Sequence, residues 1–389
     1  MRRDSGKNPG APARRYFDWA ASAIPDSPFA GASFLFGNPS SPHREGREAR
    51  EALESARARC AAALGVAPRE LCFTSGGTEA NCIALYSSLA RQGSGRTLAS
   101  AGEHSSVLEN LKSLERLGRK TGVIPIDAAG RVTPELLGRA LEKHPDARFA
   151  AIMRVNNETG TVNDIRALAG ALRGREGAPV HLHCDMAQAA GKIPLDVAGC
   201  GADSASFSAH KIGGPRGIGL LYSRKPLEAL CLGGGQEGKT RPGTENVAGA
   251  LALADCLESH AAPGAVEARG AQARQRWKRL LGELAKIERC RIVPAERGID
   301  DERFSFYVAQ IAFRDVPGEV MARALDDMGF AVSTGAACSS SSPERPVLRA
   351  MGVGESERLE GIRVSQGWST SDEDIDALLA AISEVLKFL

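Results

Sequence analysis

The sequence predicts an α/β protein: a large domain built on a mostly parallel sheet, and a smaller α+β domain. Three observations lead there. Short apolar runs alternate with helical patterns from Glu48 to Tyr222, as in a parallel sheet covered on both faces. After Gly233-Gly234-Gly235 the texture changes to long helical stretches with fewer strands. At 389 residues the chain is too long for one ordinary core. We expect a large domain over 25–262, and a small domain from 1–24 and 263–389 that carries Cys338.

Taken in order, Glu48–Leu64 has apolar residues at helical spacing. Leu71–Thr74 reads as a strand. A small-residue loop, Ser75 to Thr78, leads into a helix over Glu79–Ala90. Further strands are expected at Arg96–Ser100, Arg148–Val155, Val180–Asp185, Ser204–Ser208 and Gly219–Tyr222. Thr244–His260 reads as a helix, Pro263 as a breaker near a domain boundary, and Ala265–Ile287 as a long charged helix. Strands near Phe304–Phe313 and Gly361–Ser365, with helices near Gly318–Met328 and Asp372–Leu386, complete the smaller domain.

Composition narrows the function classes. A formal net charge of +2 gives no pull toward nucleic acid or a membrane surface. There is no apolar run long enough to span a bilayer. The basic start, Met1 to Arg15, lacks an apolar core and reads as a disordered lead-in rather than a signal peptide. The nine cysteines are odd in number and show no C-x-x-C spacing, so neither a disulfide framework nor a metal site is expected. A reducing cytoplasm fits that usage. Eight of the nine have bulky apolar or ordered neighbours. Cys338 instead sits among Gly335, Ala336, Ala337 and Ser339–Ser342, where burial is not expected and a reactive thiol would be useful.

Several groups could carry chemistry. Ser208-Ala209-His210-Lys211 ends a strand and runs into a glycine-rich turn, so Lys211 could form a Schiff base with an aldehyde cofactor. Otherwise it is an exposed lysine before a turn. Thr74 to Glu79, with Gly76, Gly77 and Thr78, makes an anion cradle at a helix start, or a plain capped helix. Asp185 at a strand end is suited to a protonated ring nitrogen, or caps the next segment. His104 follows a strand, where it could stack on a flat cofactor or serve as a structural hydrogen-bonder. Asn156–Gly160 is a turn or a polar contact. Arg363 lies inside an apolar strand and needs an anion, either a structural carboxylate or a substrate's.

Taken together and in order, these motifs resemble the cysteine desulfurases, enzymes of the pyridoxal-phosphate (PLP) fold shared with aspartate aminotransferase. The resemblance runs from about Asp18 to about Leu386 and includes Gly37–His43 and Arg241–Val247. It implies PLP bound covalently by Lys211, which is also the general acid/base. It implies Asp185 on the ring nitrogen, His104 stacked on the ring, and Gln188 and Asn157 near the ring's phenolate oxygen. Gly77, Thr78, Ser208 and His210 would hold the phosphate, with Thr244 reaching it from the second subunit of a homodimer. Asn157 and Arg363 would grip the carboxylate of L-cysteine. Cys338 would accept the sulfur as a persulfide, in a loop like that of the long-loop group, and pass it to an acceptor protein serving iron–sulfur cluster, thio-cofactor or tRNA biosynthesis. The chain departs from the family pattern at Asp18–Pro25, at Met186 and at Pro343–Leu348.

A selenocysteine lyase or dual-substrate enzyme shares every one of these motifs. An inactive assembly protein has no reason to keep Lys211, Asp185, His104 and Cys338 together. A dinucleotide-binding oxidoreductase is disfavoured, because the glycines at 213–219 have the wrong spacing and no acidic residue follows a second strand.

Overall fold

The computed structural model describes residues 14–25, 35–90, 95–335 and 345–389. In chain order the first part contains β1 (Arg15–Tyr16), α1 (Arg44–Leu64), β2 (Leu71–Thr74), α2 (Gly77–Ala90), β3 (Arg96–Ser100), α3 (Ser105–Arg116), β4 (Thr121–Ile124), α4 (Pro134–Lys143), β5 (Ala147–Ala151), α5 (Ile165–Arg173), β6 (His181–Asp185), β7 (Ser204–Ser208), β8 (Gly219–Ser223) and α6 (Val247–His260). The second part contains α7 (Pro263–Leu284), β9 (Cys290–Val293), β10 (Val308–Phe313), α8 (Gly318–Asp327), β11 (Phe330–Ala331), α9 (Pro346–Ala350), α10 (Glu355–Glu360), β12 (Gly361–Ser365) and α11 (Asp372–Phe388).

The main sheet has seven strands in the order β2-β8-β7-β6-β5-β3-β4. The run from β7 to β4 is parallel, and β8 pairs antiparallel with both β7 and β2. Side chains alternate across it, as a pleated strand requires. Leu98, Ala150, Leu182, Ala205, Phe207 and Leu220 pack toward α1, α4, α5 and α6. Ala99, Phe149, Ala151 and Leu221 pack toward α2 and α3. Both faces are covered, which is why β7 is buried along its whole length.

A second sheet, β12-β10-β9, is antiparallel. Its core joins Trp277, Leu280 and Leu284 of α7 to Ile311, Ile362 and Ile375. The chain's start belongs to this side, since β1 pairs parallel with β11 and Asp18 bridges to Ser365.

Some sequence expectations are corrected. Pro263 does not break a helix; it opens α7, at the first helical turn, where its missing N–H costs nothing. The Thr244–His260 helix starts only at Val247, with Asn246 as its N-cap, so Thr244 lies in the preceding loop. Phe304 lies outside the regular strand β10, although it is buried. Cys231 is exposed between Leu230 and Leu232, despite its apolar neighbours. The other described cysteines are buried or half-buried and free. Burial pushes the thiols of Cys60 and Cys290 up to about 12, and raises those of Cys72, Cys82, Cys184 and Cys200.

One ion pair fixes the loop that carries Thr244. Glu237 has a positive φ of 47°, unusual for a residue with a side chain. Its carboxylate is buried and accepts two bonds from Arg57 of α1, at 2.7 and 2.9 Å, and one from the Phe73 N–H at 2.7 Å. Arg57→Leu leaves that carboxylate buried without its cation and should cost about 3–5 kcal/mol. The loss should show as a lower urea midpoint at pH 7. An unchanged midpoint would mean that the loop swings out and rehydrates Glu237 at no cost.

Candidate functional site

The parallel strands β3, β5, β6 and β7 end at one edge of the sheet, where α/β proteins place their ligands. At that edge β7 gives way to a single 3-10 turn, Ala209–Lys211. Gly213 (φ 82°) and Gly214 make the turn possible, because a Cβ on Gly214 would lie 2.8 Å from that of Ala209. Lys211, half-buried, points its ammonium at two backbone carbonyls, Ala20 at 2.7 Å and Ala21 at 2.9 Å.

Asp185, the last residue of β6, is 6% exposed. One carboxylate oxygen accepts from Asn81 Nδ2 at 2.8 Å and the other from the Ala187 N–H at 2.9 Å. Gln188 is buried next to it. Its Nε2 donates to the Ala20 carbonyl at 2.7 Å, and its Oε1 accepts from Lys192 Nζ at 2.8 Å. Burial, with Lys211 and Arg363 nearby, pushes the Lys192 ammonium down to about 7.

His104 caps α3. Its Nδ1 meets the Ser106 N–H at 3.1 Å and the Ser106 hydroxyl at 2.9 Å. Burial holds the imidazole below its ordinary value, and Lys211 and Arg363 act in the same direction against the pull of Asp185. Glu103 beside it is buried, and its carboxyl is pushed up to about 8 by desolvation. One of its oxygens accepts from Ser100 Oγ at 2.5 Å and the Met153 N–H at 2.7 Å.

The expected anion cradle lies against the end of β7. A Cβ on Gly77 would sit 3.5 Å from Ser208 Cβ and 3.9 Å from Ala187 Cβ, and one on Gly76 would sit 3.8 Å from Ser208 Oγ. Helix α2 begins at Gly77, two residues before the expected start, so its N-terminal N–H groups face this space with Ser208. Thr78 is exposed at the same helix start. His210 is pushed down to about 4 by burial and by Lys211, and its Nδ1 is 3.4 Å from Ser22 Oγ.

Arg363 is buried in β12. It pairs with Asp18 at 2.8 Å and donates to the Asn157 carbonyl at 3.0 Å. Its Nε is buried and has no partner among the described residues. The structural carboxylate that an arginine in an apolar strand demands is therefore Asp18. Asn157 is half-buried, and the neighbouring Asn156 does the structural work of the turn, with Oδ1 accepting from the Glu158 and Thr159 N–H groups at 2.9 Å. Thr244 is exposed in its loop, where Arg241 pairs with Glu79 of α2 at 3.2 Å. Cys338 lies outside the described residues. The chain enters its segment at Gly335 (φ 94°), whose added Cβ would lie 3.7 Å from Arg363 Cβ, and leaves it at Arg345, which donates to the Thr334 and Gly361 carbonyls.

Sequence reasoning passed over Asn81, Ser106, His183, Lys192 and the carbonyls of Ala20 and Ala21. A signal did exist for part of this set. His181, His183 and Asp185 alternate along β6, and Ser204, Ser206 and Ser208 along β7. Two polar stripes on one face of a buried sheet need polar partners from the helix above, and α2 offers Asn81.

Comparison with known proteins places this architecture. The aminotransferase class-V family profile matches residues 16–378. A cysteine desulfurase IscS of Dictyoglomus turgidum is 37% identical, over 91% of this chain and 88% of its own. A putative cysteine desulfurase IscS 1 of Bacillus subtilis is 35% identical over 97% and 99%. Among solved structures, a NifS-like protein superposes with a TM-score of 0.86 at 30% identity, covering 97% of this chain and all of that one. SspA in complex with cysteine superposes at 0.75 with 28% identity, covering 90% and 98%. With the match spanning nearly the whole chain, the protein belongs to the class-V aminotransferases, a PLP-dependent family.

Proposed function

We propose that the protein is a cysteine desulfurase, which converts L-cysteine to L-alanine and retains the sulfur as a persulfide on Cys338. The observation that carries this is the meeting of Lys211, Asp185, His104 and the Gly76-Gly77 helix start at one sheet edge, beside an arginine with an unused N–H.

The pocket's chemistry fits PLP. Gly76 and Gly77 leave open the space between α2 and Ser208, where a helix N-terminus and a hydroxyl suit a phosphate. Asp185 accepts one bond on each oxygen and keeps acceptor capacity for a protonated ring nitrogen. When bound, the cofactor draws electrons from the substrate's α-carbon. The protein does the rest. Lys211 would anchor the cofactor and move the α-proton, His104 would cover the ring, and Gln188 and Asn157 would lie toward its phenolate oxygen. Thr78, Ser208 and His210 would hold the phosphate. Cys338 as thiolate takes the sulfur of cysteine, alanine leaves, and an acceptor protein collects the persulfide. A cytoplasmic setting suits a chain whose described cysteines are all free. No described helix is long and apolar enough to cross a membrane. We also read the two sheets as two domains divided near residue 262, with the chain's start in the second.

Mass spectrometry after brief incubation with PLP and cysteine is the direct test. The wild type should carry one extra sulfur on the Cys338 peptide. Cys338→Ser should keep the cofactor and lose the persulfide, while Lys211→Ala should lose turnover and covalent attachment. Sulfur found on another cysteine, or full turnover in either variant, would refute the reading.

Arg363 supplies a second test. The guanidinium is held by Asp18 and the Asn157 carbonyl and its Nε is buried, so a substrate carboxylate would take the place of one of these two partners. Arg363→Ala should raise KM for cysteine and lower kcat/KM roughly a hundredfold, the loss of about 2–3 kcal/mol of charge-assisted bonding. PLP content should stay near wild type. Unchanged kcat/KM would leave Arg363 as the structural partner of Asp18 alone.

The enzyme is read as a homodimer in which Thr244 completes the phosphate site of the other subunit. Its loop carries Leu232 and Leu230, 89% and 48% exposed, and Phe36 is 83% exposed. Sedimentation should give twice the chain mass, and Thr244→Val should weaken PLP retention. A monomer that holds a full complement of PLP would contradict this.

A further inference from the structure

A buried polar network is centred on Asn81, a residue outside the set that would hold the cofactor or substrate. Asn81, in the second turn of α2, is 0% exposed. Its Nδ2 lies 2.8 Å from Asp185 Oδ2, and an ionised carboxylate can only accept, so the orientation of the amide is fixed. The second Nδ2 hydrogen is directed at Ser106 Oγ, 2.8 Å away. Oδ1 accepts from Ser206 Oγ at 2.5 Å and from His183 Nε2 at 2.9 Å. The amide has two donors and two acceptor sites, and all four are used.

The bonds beyond it follow by elimination. His183 donates through Nε2 and is held neutral by burial, so its Nδ1 accepts from Ser204 Oγ at 2.8 Å. The Ser106 backbone N–H can only donate and points at His104 Nδ1 from 3.1 Å, so that nitrogen carries no proton and the Ser106 hydroxyl, which accepts from Asn81, donates to it at 2.9 Å. With two donors aimed at Nδ1, the proton of neutral His104 sits on Nε2.

We propose that Asn81 is a positioning residue for the reaction, whose single carboxamide holds the Asp185 carboxylate in place and, through Ser106, sets the tautomer of His104. A buried asparagine that served packing alone would not need to join these two groups, one at the end of β6 and the other at the N-cap of α3. The clamp couples them: a carboxylate that turned away would release the amide, the amide the serine, and the serine the imidazole. The roles of Asp185 and His104 come from the function proposed above, but the hydrogen-bond chain exists without ligand and can be tested without it.

The test uses the full chain with and without PLP. In apoprotein labelled with 15N-histidine, the His104 signal, assigned among seven histidines with a His104→Gln variant, should report protonated Nε2 and a midpoint below about 6.5. The charged groups acting on that ring are Asp185, Lys211 and Arg363, and both variants below retain all three. Ser106→Ala removes the hydroxyl donor to Nδ1, which favours the neutral ring, so the midpoint should rise by about half a pH unit. Asn81→Asp keeps the shape but cannot donate to both neighbours, and should weaken PLP binding roughly tenfold while shifting the His104 signal. A His104 signal that Ser106→Ala leaves unmoved, or one with the proton on Nδ1 in the wild type, would overturn the proposal. So would wild-type PLP affinity in Asn81→Asp. If Asn81→Asp does not fold, the Ser106→Ala titration decides alone. Failure of the functional reading looks different: the wild type would then bind no PLP while the His104 tautomer stayed as described.

Discussion

The arrangement rests on a short stretch of backbone, Phe17 to Ala23, that crosses between the two sheets. On one side it is fixed to the second sheet: the Ser365 N–H donates to the Phe17 carbonyl at 2.8 Å, and Ser365 Oγ accepts from the Ala20 N–H at 2.9 Å. Trp19 stacks edge-on against Trp368 at 4.9 Å and fills the space that a side chain at Gly367 would need. On the other side it faces the pocket. The Ala20 carbonyl accepts from both Lys211 and Gln188, and the Ala23 N–H donates to the His210 carbonyl. The position of the lysine is thus set by a segment far from it in sequence. Asp18, in the same stretch, is the carboxylate that allows Arg363 to be buried.

Charge in the pocket is unevenly shared. Lys192, Lys211 and Arg363 converge on it, while Asp18 and Asp185 supply the nearest negative charge. Burial, reinforced by the neighbouring cations, pushes Lys192 down to about 7 and holds the two histidines below their ordinary range. A site of this kind favours a ligand that brings its own negative charge, as a phosphate and a carboxylate both do.

Much of this was legible in the sequence, for reasons that can be stated. Leu71–Thr74, Arg96–Ser100 and Ser204–Ser208 were readable because short apolar or small-residue runs bounded by turns have few other uses. Asp185 and Lys211 stood out because they follow such runs. Asn81 and Lys192 did not, since each lies in an ordinary helical or turn context and acquires meaning only when another element packs on it. The contribution of Ala20 and Ala21 is invisible in principle: it is made by carbonyls, which every residue has. Pro263 misled because proline stops a helix when it falls inside one and helps when it stands at the start. Cys231 misled because apolar neighbours in sequence do not ensure burial in space.

The buried thiols have a further meaning for a protein that handles reactive sulfur. Sulfur on a persulfide passes to whatever thiolate can reach it, including those of the protein that carries it. Desolvation keeps Cys60, Cys72, Cys184 and Cys290 in their protonated, poorly nucleophilic form at neutral pH. The hydrophobic core therefore does more than stabilise the fold. It insulates the polypeptide from its own cargo, so that a sulfur atom leaving the pocket meets few competing acceptors before it meets the intended one.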